Sequence, residues 1–141
     1  MDETVVLAKV ESLQHCVERI RSRMPLSVEN LIEDYDLQDI ISINLERAVQ
    51  LCVDIAAHIL ADRNAPAPSS MAACFEELRK EGYLPEDVAN QLKKAIGFRN
   101  ISVHAYQDID WAIVFSIVST RLSDFSDFVR HINAKLKSCG G

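Results

Sequence analysis

An eight-residue stretch, Arg99-Asn100-Ile101-Ser102-Val103-His104-Ala105-Tyr106, brings together a guanidinium, an amide, a hydroxyl, an imidazole and a phenol. The Arg99 guanidinium is a permanent forked donor for phosphate oxygens, and the His104 imidazole can exchange a proton near neutral pH. These two groups meet the minimum needs of RNA cleavage without a metal ion. The imidazole takes the proton of a ribose 2′-hydroxyl, which attacks the adjacent phosphorus, and a donor protonates the leaving 5′-oxygen.

The spacing within this stretch decides whether one helix can bring the groups together. Arg99 and His104 are five residues apart, so on one helix they point about 140° away from each other, unless the helix ends near Val103. Two subunits meeting across a two-fold axis are the other route to a composite site, with both copies of each residue in one cleft. Spacing alone also fits ordinary structural roles: an ion pair for Arg99, a hydrogen bond for His104, and a local backbone hydrogen bond for Ser102.

Length, charge and cysteine content narrow the class of protein. A chain of 141 residues, 48% hydrophobic and 26% charged, is typical of one folded domain. It has no apolar run of the roughly 18 residues that a membrane span needs, and its acidic start is unlike a secretion signal. Four cysteines without a CxxC pair favour reduced thiols, a cytoplasmic location and a Cys139 that is exposed in a frayed tail. The net charge of −6 argues against a general nucleic-acid coat protein.

Apolar spacing predicts helix almost throughout, in an all-α up-and-down bundle with two short accessory helices. One helical domain is expected over residues 1–141, with a flexible tail from about residue 137. The central helix has apolar residues on more than one stripe, which predicts cover on two sides and favours a homodimer. Short helices covering that surface are the alternative.

The predicted helices are 6–24, ended by Pro25; 28–34, capped by Ser27 with Val28, Leu31 and Ile32 buried; 36–63, capped by Asp36; 71–81, between Ser70 and Gly82; one with Pro85 in its first turn that enters the motif; and a final one from Asp108 or Asp110 to Leu136.

The pattern Arg99-Asn100-x-x-x-His104-x-Tyr106 resembles the Rx4HxY signature of the HEPN superfamily, and more narrowly that of the HepT-like toxins. Segment 44–56, which includes Glu46 and Asp54, resembles the central helix of that family. The helical layout is similar to the family's over nearly the whole chain.

The resemblance implies an all-α homodimer whose Arg and His line a cleft at the dimer interface and cleave RNA without a metal ion. It implies that Arg99 and His104 are the catalytic pair and that Asn100 is an accessory. It also implies that an MntA-like nucleotidyltransferase antitoxin transfers AMP to Tyr106 and so blocks the RNase site. A bulky, negative AMP two residues from His104 would occlude the cleft and repel RNA phosphate.

Two further groups of residues are candidates for supporting roles. Asp54 lies among apolar neighbours and is expected to orient Arg99 or His104, a role that the resemblance supports; a surface-facing carboxylate is the alternative. The basic cluster could flank an RNA path or form a solvated helix face; it consists of Arg79, Lys80, Lys93 and Lys94. With no HxxxH or ExxH pair in the sequence, neither a metal site nor a cofactor is expected.

The sequence leaves the exact function open in two respects. The RNA substrate is a tRNA or an mRNA, and nothing in the residues identifies which. A non-catalytic HEPN module, which binds a nucleotide or serves as a scaffold for its nucleotidyltransferase, is the alternative function. The acidic net charge favours that alternative, whereas the intact Arg99 and His104 pair favours the enzyme.

Overall fold

Seven α-helices and one short 3-10 turn form the described part of the chain, residues 2–63 and 66–140 of a computed structural model. For residues 138–140 only the backbone is described. The Cys139 side chain and part of the predicted tail and of the predicted 64–70 loop therefore lie outside the described residues. The elements are α1 (Glu3–Arg21), α2 (Val28–Glu33), α3 (Tyr35–Leu60), α4 (Met71–Lys80), α5 (Glu86–His104), the turn Tyr106–Asp108, α6 (Trp111–Thr120) and α7 (Ser123–Gly140).

The four long helices α1, α3, α5 and α7 form the bundle, and α3 lies at its centre. Helix α3 packs against α1, α2, α4 and α5, and α7 packs against α1 and α5. The predicted all-α bundle is confirmed, as is the cover of α3 on more than one side. Cys16, Cys52 and Cys74 are buried free thiols in this core. None of the described helices is long and apolar enough to cross a membrane.

Side-chain caps place several helix ends where the sequence predicts them. Ser27, Ser70 and Asp110 each accept a hydrogen bond from a backbone N–H in the first turn of α2, α4 and α6. Gly82 follows α4 with φ of +83°, and its N–H and the next one bond back to carbonyls of the last turn. This left-handed closure favours glycine, as the sequence suggests.

Two helices begin or end elsewhere than predicted. Helix α1 begins before Val6 because the Asp2 carboxylate accepts a backbone N–H bond at 2.9 Å, and it ends before Pro25 is reached. Asp34, not Asp36, caps α3, accepting a backbone N–H bond at 3.0 Å. Asp34 is also the C-cap of α2, so the chain turns a sharp corner there. Helix α3 ends at Leu60 rather than near residue 63.

The predicted final helix is wrong, because it is two helices that break at Arg121 and Leu122. Helix α6 packs against α2, whereas α7 packs against α1 and α5, so the two need different directions. The Arg121 guanidinium bonds to the Asp124 carboxylate at 3.0 and 3.1 Å across the break. The bundle therefore has three short accessory helices, α2, α4 and α6, rather than two.

Two smaller expectations also change. Ile32 is 49% exposed rather than buried, and Val28 is half-buried, so Leu31 alone of the predicted three anchors α2 in the core. Pro85 occupies the N-cap position of α5 rather than its first turn. A proline suits this position because its missing N–H is not needed there.

Candidate active site

The motif spans the end of α5 and the turn that follows it. Helix α5 continues through His104 and stops at Ala105, whose φ of −147° and ψ of 55° are not helical. Arg99 and His104 therefore lie on the same helix, about 7.5 Å apart along its axis and about 140° apart around it. The helix thus ends one residue after Val103, and because His104 is still its last residue, the two side chains diverge within one protomer.

The cationic part of the motif is open to ligands. The Arg99 side chain is half-buried and donates to the Asn100 side-chain oxygen at 3.3 Å, while His104 and Asn100 are exposed. Among the described residues, Arg99 forms no ion pair with a carboxylate. The guanidinium thus keeps donors available for an anion, and Asn100 is placed to orient it.

Ser102 ties the motif helix to the centre of the bundle. Its side chain is buried, with 4% of the residue exposed, and its hydroxyl donates to the Glu46 carboxylate on α3. The expected local backbone bond is therefore wrong, because a charged acceptor on the facing helix takes the proton. This contact holds the helix segment that carries Arg99 and His104 against α3.

Tyr106 is held against α3 from the turn. Its hydroxyl donates to Asp39 Oδ1 at 2.8 Å, and its ring meets the Trp111 ring edge-on with centroids 5.9 Å apart. Burial raises the pKa of the Tyr106 phenol; a Ser42 hydrogen bond lowers it, and the bond to Asp39 and nearby negative charge raise it further. The net shift is upward, so the phenol is protonated at neutral pH. With 40% of Tyr106 exposed, the group is still accessible from solvent.

Asp39 and Glu46 belong to one stripe of α3. They are seven residues apart, with Ile43 between them, so all three point to nearly the same side of the helix. Tyr106 contacts the first carboxylate and Ser102 the second, which shows that α3 and α5 run antiparallel. Sequence reasoning missed Asp39; the available signal was a pair of carboxylates at i and i+7 on a largely apolar helix.

Apolar side chains surround the motif and remain exposed. Ile43 is 42% exposed, Val103 46% and Tyr106 40%. Large apolar groups clustered at a protein surface mark interaction sites. These three residues, together with Arg99 and His104, form the motif face.

Asp54 lies away from the motif residues. Its carboxylate accepts a bond from the Gln50 amide at 2.9 Å and lines a groove between α1 and α3 with His15 and Arg47. Eight residues separate it from Glu46, which is about 12 Å along the helix axis. Within one protomer the structure does not bring Asp54 together with Arg99 or His104.

The basic cluster is largely neutralised by neighbouring acids. Glu76 accepts bonds from Arg79 and from Lys93, the latter at 2.6 Å, and Lys80 pairs with Glu77 at 3.5 Å. The two bonds lower the pKa of Glu76 to about 2. This arrangement fits a solvated helix face better than an RNA path.

The described residues contain no group of three or more His, Cys, Asp or Glu side chains placed to hold a metal ion. His15, His58 and His104 lie on α1, α3 and α5, and the His58 ring accepts the Asp2 backbone N–H at 3.3 Å. The side chains of the motif face offer an acid–base imidazole, an anion-binding guanidinium and a modifiable phenol.

Comparison with known proteins identifies the family. A family model described as Ribonuclease HepT-like matches residues 13–132. The mRNA nuclease HepT of Shewanella oneidensis is 31% identical over 93% of this chain and 98% of that protein. The tRNA nuclease HepT of Aphanizomenon flos-aquae is 26% identical over 96% of this chain and 92% of its own.

A solved structure agrees with these relatives over the same length. The tri-AMPylated HEPN toxin of Shewanella oneidensis, in complex with an MNT antitoxin, superposes with a TM-score of 0.86 at 31% identity. The match covers 95% of this chain and 99% of that one. The chain therefore belongs to the HepT-like ribonuclease family, as its Rx4HxY motif predicts.

Proposed function

We propose that this protein is the toxin of a toxin–antitoxin pair and cleaves RNA without a metal ion. Arg99 and His104 are the catalytic pair, Asn100 is an accessory that orients Arg99, and Tyr106 is the acceptor of a regulatory AMP. The proposed site of action is cytoplasmic RNA. The two HepT relatives, named as an mRNA nuclease and a tRNA nuclease, make both RNA classes candidates.

The observation that carries the proposal is an exposed His104 on the same helix as Arg99, which forms no ion pair within the described part of the chain, beside an accessible Tyr106. A purely structural arginine at this point would pair with one of the many acids of the chain. A purely structural histidine would be bonded or buried. Both groups are instead left available to a ligand.

The proposed cleavage divides the work between base, acid and charge stabiliser. One His104 imidazole takes the 2′-hydroxyl proton, the 2′-oxygen bonds to phosphorus, and the bond from phosphorus to the 5′-oxygen breaks. The imidazole of the second subunit protonates the leaving 5′-oxygen, which yields a 2′,3′-cyclic phosphate and a 5′-hydroxyl. Each placed imidazole contributes about 10²–10⁴ in rate. The Arg99 donors facing the pentacoordinate phosphorus contribute about 10²–10³.

The divergence of the two side chains supports a homodimer as the active form. Arg99 and His104 point about 140° apart on α5, so a two-fold axis is the way to gather both kinds of group in one cleft. The exposed apolar residues Ile43 and Val103 give the motif face the character of an interface. Asp54, remote from the motif in one protomer, keeps its proposed accessory role only if the second subunit brings it there.

An MntA-like nucleotidyltransferase is the proposed antitoxin. The AMPylated Shewanella oneidensis toxin in complex with an MNT antitoxin supports this partner. Transfer of AMP to the exposed Tyr106 would add a phosphodiester anion near Arg99 and His104. That anion competes with RNA phosphate for the guanidinium and blocks access to the imidazole.

The scaffold alternative is favoured by one observation. Arg79, Lys80 and Lys93 are paired with acids, so they offer little attraction to RNA beyond the motif. A non-catalytic module that presents Tyr106 to its transferase would need no such attraction. The two functions differ in whether the unmodified protein cuts RNA.

The test is cleavage of tRNA and mRNA by purified unmodified protein in the presence of a chelator. We expect products with 2′,3′-cyclic phosphate ends, and a loss of about 10²-fold or more for His104→Ala. His15→Ala is the matched control, since His15 is an exposed histidine on α1, and it should retain activity. Absence of cleavage by unmodified protein would support the scaffold, and undiminished cleavage by His104→Ala would remove the proposed catalytic pair.

A further inference from the structure

We propose that Asp39 is the catalytic base through which Tyr106 accepts AMP, an inference that rests on the function proposed above. Asp39 Oδ1 lies 2.8 Å from the Tyr106 oxygen, and the phenol donates its proton along that line. The toxin itself would thus supply the base for its own neutralisation. The transferase would then need to supply only the bound nucleotide and its phosphate chemistry.

The state of the phenol makes a base necessary. Burial raises the pKa of Tyr106, and negative charge on Asp39 and Glu46 raises it further, so the hydroxyl is neutral at physiological pH. A neutral phenol is a weak nucleophile, and it gains strength when an adjacent group removes its proton. A carboxylate in hydrogen-bond contact with the attacking hydroxyl is also the arrangement that protein kinases use.

Asp39 is free to take that proton. Among the described residues, it forms no ion pair with a Lys, Arg or His side chain. The neighbouring carboxylate of the stripe, Glu46, is already bonded to Ser102, which leaves Asp39 as the stripe's acceptor for the phenol.

The surroundings hold the phenol in a fixed position for attack. The Trp111 ring packs edge-on against the Tyr106 ring, with an interplanar angle of 69°, so ring and hydroxyl have a defined direction. Ser42, one turn after Asp39 on α3, lies beside the phenol and lowers the pKa of Tyr106, while its hydroxyl donates to the Asp39 backbone oxygen at 3.4 Å.

The proposed step balances with a nucleoside triphosphate as the donor. The Tyr106 oxygen bonds to the α-phosphorus, the bond from that phosphorus to the bridging oxygen breaks, and pyrophosphate leaves. The phenol proton moves to Asp39 Oδ1 and from there to water. No oxidant or reductant is involved, and the nucleotide comes from the nucleotidyltransferase partner.

The test compares Asp39→Asn with Asp36→Asn in AMP transfer by the cognate nucleotidyltransferase, followed by intact mass. The asparagine keeps an oxygen that can accept the phenol bond but cannot take the proton. Asp36 is an exposed carboxylate one turn earlier on α3, so its variant makes the same change in charge. For Asp39→Asn we expect kcat of the first AMP addition to fall about 10²–10⁴-fold, with KM for the toxin little changed. Asp36→Asn should behave as the wild type.

Each other outcome overturns a defined part of the proposal. An Asp39→Asn variant modified at the wild-type kcat, or impaired in KM alone, would make Asp39 at most a docking or positioning residue. An equal loss in Asp36→Asn would assign the effect to general charge. Failure of the wild type to gain AMP, or modification of Tyr106→Phe, would overturn the acceptor role of Tyr106 as well. RNA cleavage by the unmodified chain would still be judged by its own assay.

Discussion

The Ser102–Glu46 hydrogen bond offers a thermodynamic test of how the motif helix is held. Ser102 is 4% exposed and donates to a carboxylate that lies 56 residues earlier in the chain. Ser102→Ala removes the donor and leaves the half-buried Glu46 carboxylate with one partner fewer. The loss is local, because the alanine methyl fits where the serine side chain was.

The expected change in the free energy of unfolding follows from the chemistry of the two partners. A hydrogen bond to a charged group contributes about 1.5–3 kcal/mol, and access of water to half-buried Glu46 reduces this to about 1–2 kcal/mol. Alanine is the better helix former by about 0.5 kcal/mol, which offsets part of the loss. Ser102→Ala should therefore lower the free energy of unfolding by about 1 kcal/mol, which is about 3 °C in Tm for a chain of this size.

A double-mutant cycle separates the bond from these other effects. Urea unfolding of the wild type, Ser102→Ala, Glu46→Ala and the double variant yields a coupling energy, expected at about 1–2 kcal/mol. All four proteins are measured at one protomer concentration, because association shifts apparent stability. Ser12→Ala, at an exposed serine of α1, is the control and should be neutral or slightly stabilising. A coupling energy within the roughly 0.5 kcal/mol error of additivity would refute the role assigned to this contact.

Two further predictions concern stability elsewhere in the bundle. Gly82→Ala should destabilise by about 1–2 kcal/mol, because φ of +83° is strained for an L side chain, whereas Gly97→Ala, in α5 with open space around it, should stabilise by about 1 kcal/mol. Urea midpoints of the two variants check this, and an equal effect of both would contradict it. The pKa of Glu76 is lowered to about 2 by Arg79 and Lys93, so stability from these bonds is present above the unfolded pKa and is lost as pH falls from about 4.5 towards 2. Glu76→Gln should flatten that part of the pH profile of the urea midpoint, and an unchanged profile would show that other carboxylates control it.

Periodicity predicts the helices of this bundle well and their junctions poorly. The predicted break after α4 depends on a glycine with a special backbone angle, which a sequence displays directly. The break between α6 and α7 has no such marker, because both helices bury three-four spaced apolar residues and the pattern runs through the junction. Asp34 and Asp36 are equally good caps by type, and the one that closes α2 also opens α3. Only the packing of the short helix decides between them.

In the candidate site, too, the sequence predicts some residues and misses others. Its reactive groups are contiguous, so the motif and the family it indicates can be read from the residues alone. Its supports are not contiguous: Asp39 is 67 residues from Tyr106, and Glu46 is 56 residues from Ser102. The sequence indicates Asp54 as the supporting carboxylate of α3, but Asp54 is rotated by about 80° from Glu46 around the helix and so faces the α1 groove. The direction in which each of the three α3 carboxylates projects relative to α5 decides whether it contacts the motif. A single sequence does not specify that direction.

The two α3 carboxylates hold parts of the motif that respond differently to AMP. Glu46 binds Ser102 within α5, whereas Asp39 binds Tyr106 on the three-residue turn after it. The proposed AMP transfer would replace the phenol proton, so the modified Tyr106 would no longer donate to Asp39, and its phosphodiester and that carboxylate would repel each other. The hydrogen bond from Ser102 to Glu46 involves neither Tyr106 nor any other group that AMP transfer would alter. Under the proposed function we therefore expect AMP transfer to displace the turn, while the Ser102 contact keeps the helix segment that carries Arg99 and His104 in place.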